Sequence, residues 1–202
     1  MRWLVCSGSS GGKKRHNTPI WCDENDYAGI FLSIMKEYLN AGCAMPIPRN
    51  PAGIEKLSPR LNEQDLFERF MDEFGGGNSQ EFTDVIGNQL LIDRSLFENS
   101  KGEWKIMKGE RGPWLLYTAV NIKTPDEIWL EPGKLGGVDK LYYLSKFGTG
   151  KNGLLSCIAV FSRDQKSSGI WTGRTNFATM REDGYLESKR VIGDLKYWRW
   201  ER

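Results

Sequence analysis

Histidine is nearly absent from this chain: His16 is the only one in 202 residues. Acid–base chemistry downstream of it must run on other groups, since histidine is the side chain whose ordinary pKa lies nearest neutrality. Cysteine is scarce too. Cys6, Cys22, Cys43 and Cys157 form no Cys-x-x-Cys pair. The first three with His16 are a conceivable zinc set, but their spacings match no zinc pattern, and reduced, mostly buried thiols are the better reading. Long apolar runs are missing as well. No window approaches the roughly 18 uncharged apolar residues of a membrane span, and Met1 to Cys6 is too short an apolar run for a signal peptide. A cytoplasmic setting is the expectation these absences leave.

What is present is an ordinary soluble mix, 27% charged and 39% hydrophobic, long enough for one domain with an appendage or two small ones. The net charge of +2 hides an asymmetry. Residues 1–100 carry 10 Lys/Arg against 14 Asp/Glu, and residues 101–202 carry 18 against 12. A basic half fits a polyanion partner, or a solvated face with scattered lysines.

Near the start, Ser7-Gly8-Ser9-Ser10-Gly11-Gly12-Lys13-Lys14 invites a phosphate-loop reading, but Ser7 stands where the first glycine belongs and Lys14 where Ser or Thr should hold magnesium. A flexible basic loop is the alternative. Tyr27, Ile30, Phe31, Ile34, Met35, Tyr38 and Leu39 make a helical apolar stripe, capped by Asp26 and ended by Gly42. It buries either in the protein's own core or on a partner. Four prolines between Pro46 and Pro59 mark an extended linker. The spacing thus predicts an extension over 1–45, a linker over 46–61 and a domain over 62–202. Asn62 with Asp65 predicts a capped helix whose apolar face is Leu66, Phe67, Phe70, Met71 and Phe74, stopped at Gly75-Gly76-Gly77. A hairpin around Gly87-Asn88 and a third helix over Pro113–Ile122 follow. Strand-like runs then occupy 127–130, 140–147, 154–161, 169–177 and 194–200. Helices first and adjacent strands last predict an α+β fold with an antiparallel sheet.

Several stretches carry a resemblance: Phe82-Thr83-Asp84-Val85 with Gly87, Leu96-Phe97, Trp104-Lys105 with Lys108 and Arg111, Pro125-Asp126-Glu127-Ile128-Trp129, Tyr143-Leu144 with Lys146-Phe147, Thr175-Asn176-Phe177, and Tyr185-Leu186-Glu187. In this order they resemble the second group of phage barnase–EndoU–colicin–RelE-like nuclease domains, found at the C-terminus of Mu F-like phage minor head proteins. The resemblance covers residues 62–202. It implies N-terminal helices packed on an antiparallel sheet of about four strands, and a metal-independent endoribonuclease with a toxin-like role and no cofactor. RNA, with tRNA among the targets, would be the partner, and phage head or portal proteins a further one. The setting would be host cytoplasm or virion. A non-catalytic head or packaging accessory, or an RNA-binding module, is the rival reading.

Metal-free RNA cleavage uses the substrate 2′-OH as nucleophile. It needs a proton acceptor, cations for the phosphorane and an acid for the leaving 5′-oxygen. The Glu–His pair common in barnase-like relatives has no histidine here, which leaves lysine, arginine and tyrosine. Lys108 and Arg111 sit just ahead of a helix start, which favours phosphate; a solvated loop pair is the alternative. Tyr143 and Lys146 point to opposite faces of a regular strand, and Tyr143 is either a site residue or a core aromatic. Thr175 is either a phosphate-binding hydroxyl or simply a strand former. The expected catalytic set is Lys108, Arg111, Tyr143 and Thr175. Lys146, Arg174, Arg181 and Arg190 are expected to bind substrate. Aromatics mixed with cations, Trp171, Tyr185, Tyr197, Trp198 and Trp200 among Arg174, Lys196 and Arg199, suit single-stranded RNA or a two-sided strand.

Overall fold

The computed structural model describes residues 47–108, 111–134, 137–149, 153–164, 169–180, 186, 189–190 and 193–199. The expected helix over 27–40, the zinc set, the basic glycine loop and Arg181 lie outside these residues. Helix α1 (Glu63–Asp72) begins as its sequence predicts: the Asn62 side chain accepts the Asp65 N–H at 2.9 Å, and such a cap is worth about 1 kcal/mol. Gly75, Gly76 and Gly77 at φ +106, +82 and +80° end the segment in a conformation other residues resist. The hairpin strands β1 (Ser79–Thr83) and β2 (Gln89–Asp93) follow. After the 3₁₀ turns Arg94–Phe97 and Gly112–Trp114 comes helix α2 (Leu115–Lys123), and then β3 (Glu127–Glu131), β4 (Val138–Gly148), β5 (Leu154–Asp164), β6 (Ile170–Thr179) and β7 (Asp194–Trp198).

The sheet has seven strands in the order β1-β2-β6-β5-β4-β3-β7, which corrects the expectation of about four. It is also mixed rather than wholly antiparallel, because β2 pairs in parallel with the start of β6 through Gln89↔Ile170, Leu90↔Trp171 and Leu91↔Thr172. The physical reason is burial. Leu90 and Ile92 are completely buried in the core that also holds Trp171, so the hairpin cannot stand apart and becomes part of the sheet. At the other side β3 and β7 extend it, with Ile128 opposite Tyr197.

Both helices lie on one face of the sheet. Leu66, Phe67, Phe70 and Met71 of α1 and Leu115, Leu116, Ala119 and Ile122 of α2 share a core with Leu141, Tyr143, Ala159 and Phe161 of the sheet. Phe70 and Phe97 meet edge to face at 4.8 Å, and truncating a buried Phe costs about 3–5 kcal/mol. The outer face carries a smaller cluster of Trp129, Tyr142, Leu144, Ile158, Val160 and Leu186, with Phe177 packed against it. The proline-rich segment runs extended but is pinned to the domain. Arg49 bridges to Phe147 at the end of β4, and Leu57 is 2% exposed. Among the described residues no helix is long and apolar enough to cross a membrane.

Candidate functional site

The site begins where β2 leaves β6. Beyond Thr172 no described strand pairs with the outer side of β6. The turn Arg94–Phe97 closes over Gly173, where a Cβ would stand 2.5 Å from Leu96 Cγ. The register then slips: Val160 faces Thr175 while Phe161 faces Gly173, so Arg174 is the extra, bulged residue. Bulges re-aim side chains and are common beside active sites.

Beside this edge lie residues 104–108 and Arg111. Ile106 is 1% exposed and Trp104 meets Phe67 edge to face at 5.5 Å, which anchors the segment to the core. Lys105, between them, extends its ammonium to the bulge and lies 3.5 Å from the Arg174 carbonyl oxygen, a long contact. Arg111 lays its guanidinium over the Phe177 ring at 4.7 Å. Thr175 alternates with buried Asn176 and so shares the face of Phe177. The edge therefore gathers Lys105, Lys108, Arg111 and Thr175, whereas the Arg174 guanidinium turns to β5, where its Nε donates to Ser162 Oγ.

Electrostatics sets this cluster apart. Among the described residues none of Lys105, Lys108 and Arg111 makes an ion pair. Burial pushes the Lys105 ammonium below lysine's usual value, repulsion from Arg111 and Lys108 pushes it further, and Glu98 opposes them. Burial lowers Arg111 as well, though a guanidinium stays charged. Glu98 is engaged by Arg94. Such an arrangement, cations held together by the fold and left unneutralised, favours a phosphate that would relieve their repulsion.

Other expected residues lie elsewhere. Tyr143 is completely buried on the helical face, where its hydroxyl donates to Asp84 Oδ2 at 2.5 Å. Burial first and Asp84 second push the phenol well above its usual value. Lys146 and Arg190 line a cleft of about 200 Å³ with Asp126 and Glu127. There Arg190, 4% exposed, donates from Nε to Glu127 Oε2 at 2.8 Å, and the Trp129 indole donates to the same oxygen at 2.7 Å. Asp126 Oδ1 accepts from Arg49 Nε at 2.6 Å and Arg199 Nε at 2.8 Å, while its Oδ2 accepts the Lys146 backbone N–H at 3.0 Å.

Lys105 was missed among the candidate residues. The signal was present in the Trp104-Lys105-Ile106-Met107-Lys108 run, where two lysines stand three apart between apolar anchors. Among the described residues no group of three or more His, Cys, Asp or Glu side chains is placed to hold a metal ion.

Comparison with known proteins adds the identity of the family. The model of the phage-Barnase-EndoU-ColicinE5/D-RelE like nuclease2 family matches residues 69–198, so the chain belongs to that family. No curated protein and no solved structure matches it.

Proposed function

We propose, from membership in this nuclease family and the unneutralised cations at the β6 edge, that the chain is an endoribonuclease acting on single-stranded or structured RNA, tRNA included. The observation that carries the reading is the convergence of Lys105, Lys108 and Arg111 without a carboxylate partner among the described residues. In the reaction the substrate 2′-oxygen attacks the adjacent phosphorus and the 5′-oxygen leaves, giving a 2′,3′-cyclic phosphate and a 5′-hydroxyl. Lys105 in its neutral form accepts the 2′ proton and, once protonated, returns it to the leaving oxygen. A depressed pKa raises its neutral fraction at a given pH. Arg111 and Lys108 stabilise the charge that builds on the phosphorane, Arg111 through two N–H groups at once. Thr175 offers a hydroxyl to a phosphate oxygen.

The biological setting we assign is phage-associated: a toxin-like activity in the host cytoplasm, or one carried with the minor head proteins of a virion. The experiment is incubation of purified protein with total RNA in EDTA, with the new ends identified chemically. Cyclic phosphate ends that disappear in the Lys108→Ala, Arg111→Ala double variant are expected. Intact RNA at every pH tried, with salt-dependent binding, would make the chain an RNA-binding module. Absence of both, with co-purification on phage heads, would make it a structural accessory.

A further inference from the structure

Beside the cationic edge lies a second feature that phosphate chemistry does not use. An open surface depression of about 430 Å³, not an enclosed cavity, is lined by Asn62, Glu63, Gln64, Trp104 and Met107. Trp104 and Met107 give it an apolar wall. Met107 is 43% exposed. Trp104 and Phe67 pack edge to face, and the Arg94 guanidinium lies over the indole 4.2 Å from the ring centroid, so one face of the ring is already covered.

We propose that this cleft is a nucleobase site, in which Trp104 and Met107 take one base of the RNA strand whose phosphate Lys105, Lys108 and Arg111 hold. The inference rests on the ribonuclease reading above and adds to it where the base goes. Chain geometry supports it. Trp104 adjoins Lys105 and Met107 adjoins Lys108, with neighbouring Cα atoms about 3.8 Å apart. Apolar wall and phosphate cations therefore alternate along one short segment, as base and phosphate alternate along a strand. Lys105 reaches to the Arg174 carbonyl oxygen on β6, whereas Trp104 packs toward α1 through Phe67, so the two side chains serve different parts of a ligand.

The rim of the cleft sorts those parts. Glu63 repels a phosphate and accepts N–H donors, so it favours the polar edge of a base over the backbone. Asn62 Oδ1 is engaged by the Asp65 N–H and Gln64 Nε2 by Glu68, which holds both side chains in place at the rim. An apolar peptide would find the wall but would have no anion to offer the three cations beside it. A free phosphate would find the cations but leave the indole and the thioether unused. A base joined to a phosphate satisfies both.

The test is fluorescence anisotropy with a labelled 2′-O-methyl RNA hexamer, which cannot be cleaved through its 2′-oxygen, and an abasic hexamer of the same backbone. The protein should bind the base-bearing strand about tenfold more tightly, the scale of base–aromatic stacking. Met107→Ser, at an exposed position, and Trp104→Leu, which keeps apolar volume against Phe67, should each cut that preference about threefold or more while abasic affinity stays within about twofold. Arg111→Ala should weaken both strands alike. Equal affinity of the parent protein for the two strands, or a preference that survives in Met107→Ser, overturns the base site and leaves the ribonuclease reading standing. Binding to neither strand overturns both.

Discussion

Two cationic regions of this molecule do opposite things with their charge. At the start of β3, Asp126 faces Arg49 and Arg199, and Glu127 faces Arg190. The carboxylates are buried, at 4% and 3% side-chain exposure, and the partners are 77, 73 and 63 residues away in sequence. At the outer edge of β6, Lys105, Lys108 and Arg111 gather with no carboxylate partner among the described residues. Buried charge without a partner is expensive, so the β3 pairs close the fold by joining the lead-in segment and the end of β7 to the sheet. Half-buried or exposed cations held near one another at an edge that water still reaches are tolerable and become favourable when an anion arrives. Content of arginine and lysine does not separate the two regions; their pairing does.

Breaking a pair at β3 should give the largest effect. Glu127→Ala leaves the Arg190 guanidinium buried without its partner, and a loss of about 3–5 kcal/mol in unfolding free energy is expected. Urea denaturation followed by fluorescence measures it. Glu127 and Arg190 removed together for apolar residues of similar volume should recover much of that loss, since two matched desolvation costs vanish at once.

At the β6 edge the expected effects are on substrate and not on the fold. Lys108 is exposed, so Lys108→Ala should leave the unfolding midpoint nearly unchanged. It should weaken RNA binding and reduce the slope of log affinity against log salt by about 0.7, the counterion share of one single-strand phosphate contact. A slope equal to that of the parent protein would mean that Lys108 touches no phosphate.

A smaller and more specific effect concerns pH. Lys105 is lowered from lysine's 10.5 by burial and then by its cationic neighbours. A proton acceptor works in its neutral form, so the cleavage rate should rise with pH and level off at the depressed pKa, earlier than an ordinary lysine would allow. Lys105→Arg keeps the charge but offers no neutral form near neutrality, and the rising limb should vanish. Raising salt screens Arg111 and Lys108 and should move the parent limb toward higher pH. A limb that is unchanged in Lys105→Arg would assign the proton transfer to another group.

Local features of this fold were readable in the chain, and non-local ones were not. Asn62 with Asp65, the triple glycine after Phe74 and the alternating runs of the strands depend on neighbours within a few residues, and the structure contains each of them. The pairing of β2 with β6 depends on residues about 80 positions apart, and no local pattern encodes its parallel sense. The expectation of about four strands came from the family resemblance, and the seven strands of the sheet correct it. The face of Tyr143 was undecidable for a different reason. Leu141 through Ser145 are all buried, since both sides of β4 are covered, and a strand covered on both sides shows no alternation to read. Arg190 looked like a free cation because its partner Glu127 lies 63 residues upstream. In the candidate site, Lys108 and Arg111 stood out by their place before a helix. Lys105 did not, since its significance comes from the bulge at Arg174, which a sequence does not mark.

The contrast between the two regions is tested most directly by single-turnover RNA cleavage in EDTA, comparing Arg111→Ala with Asp126→Asn at a temperature where both remain folded. Loss of the cation over Phe177 should slow cleavage about 100-fold, the scale of one charge-stabilising donor. Loss of the Asp126 carboxylate should lower the melting temperature while the rate per folded molecule stays within about threefold, because its interactions stabilise the fold and not the transition state. A slowing in Asp126→Asn equal to that in Arg111→Ala, or an Arg111→Ala protein that cleaves at the parent rate, would contradict this account.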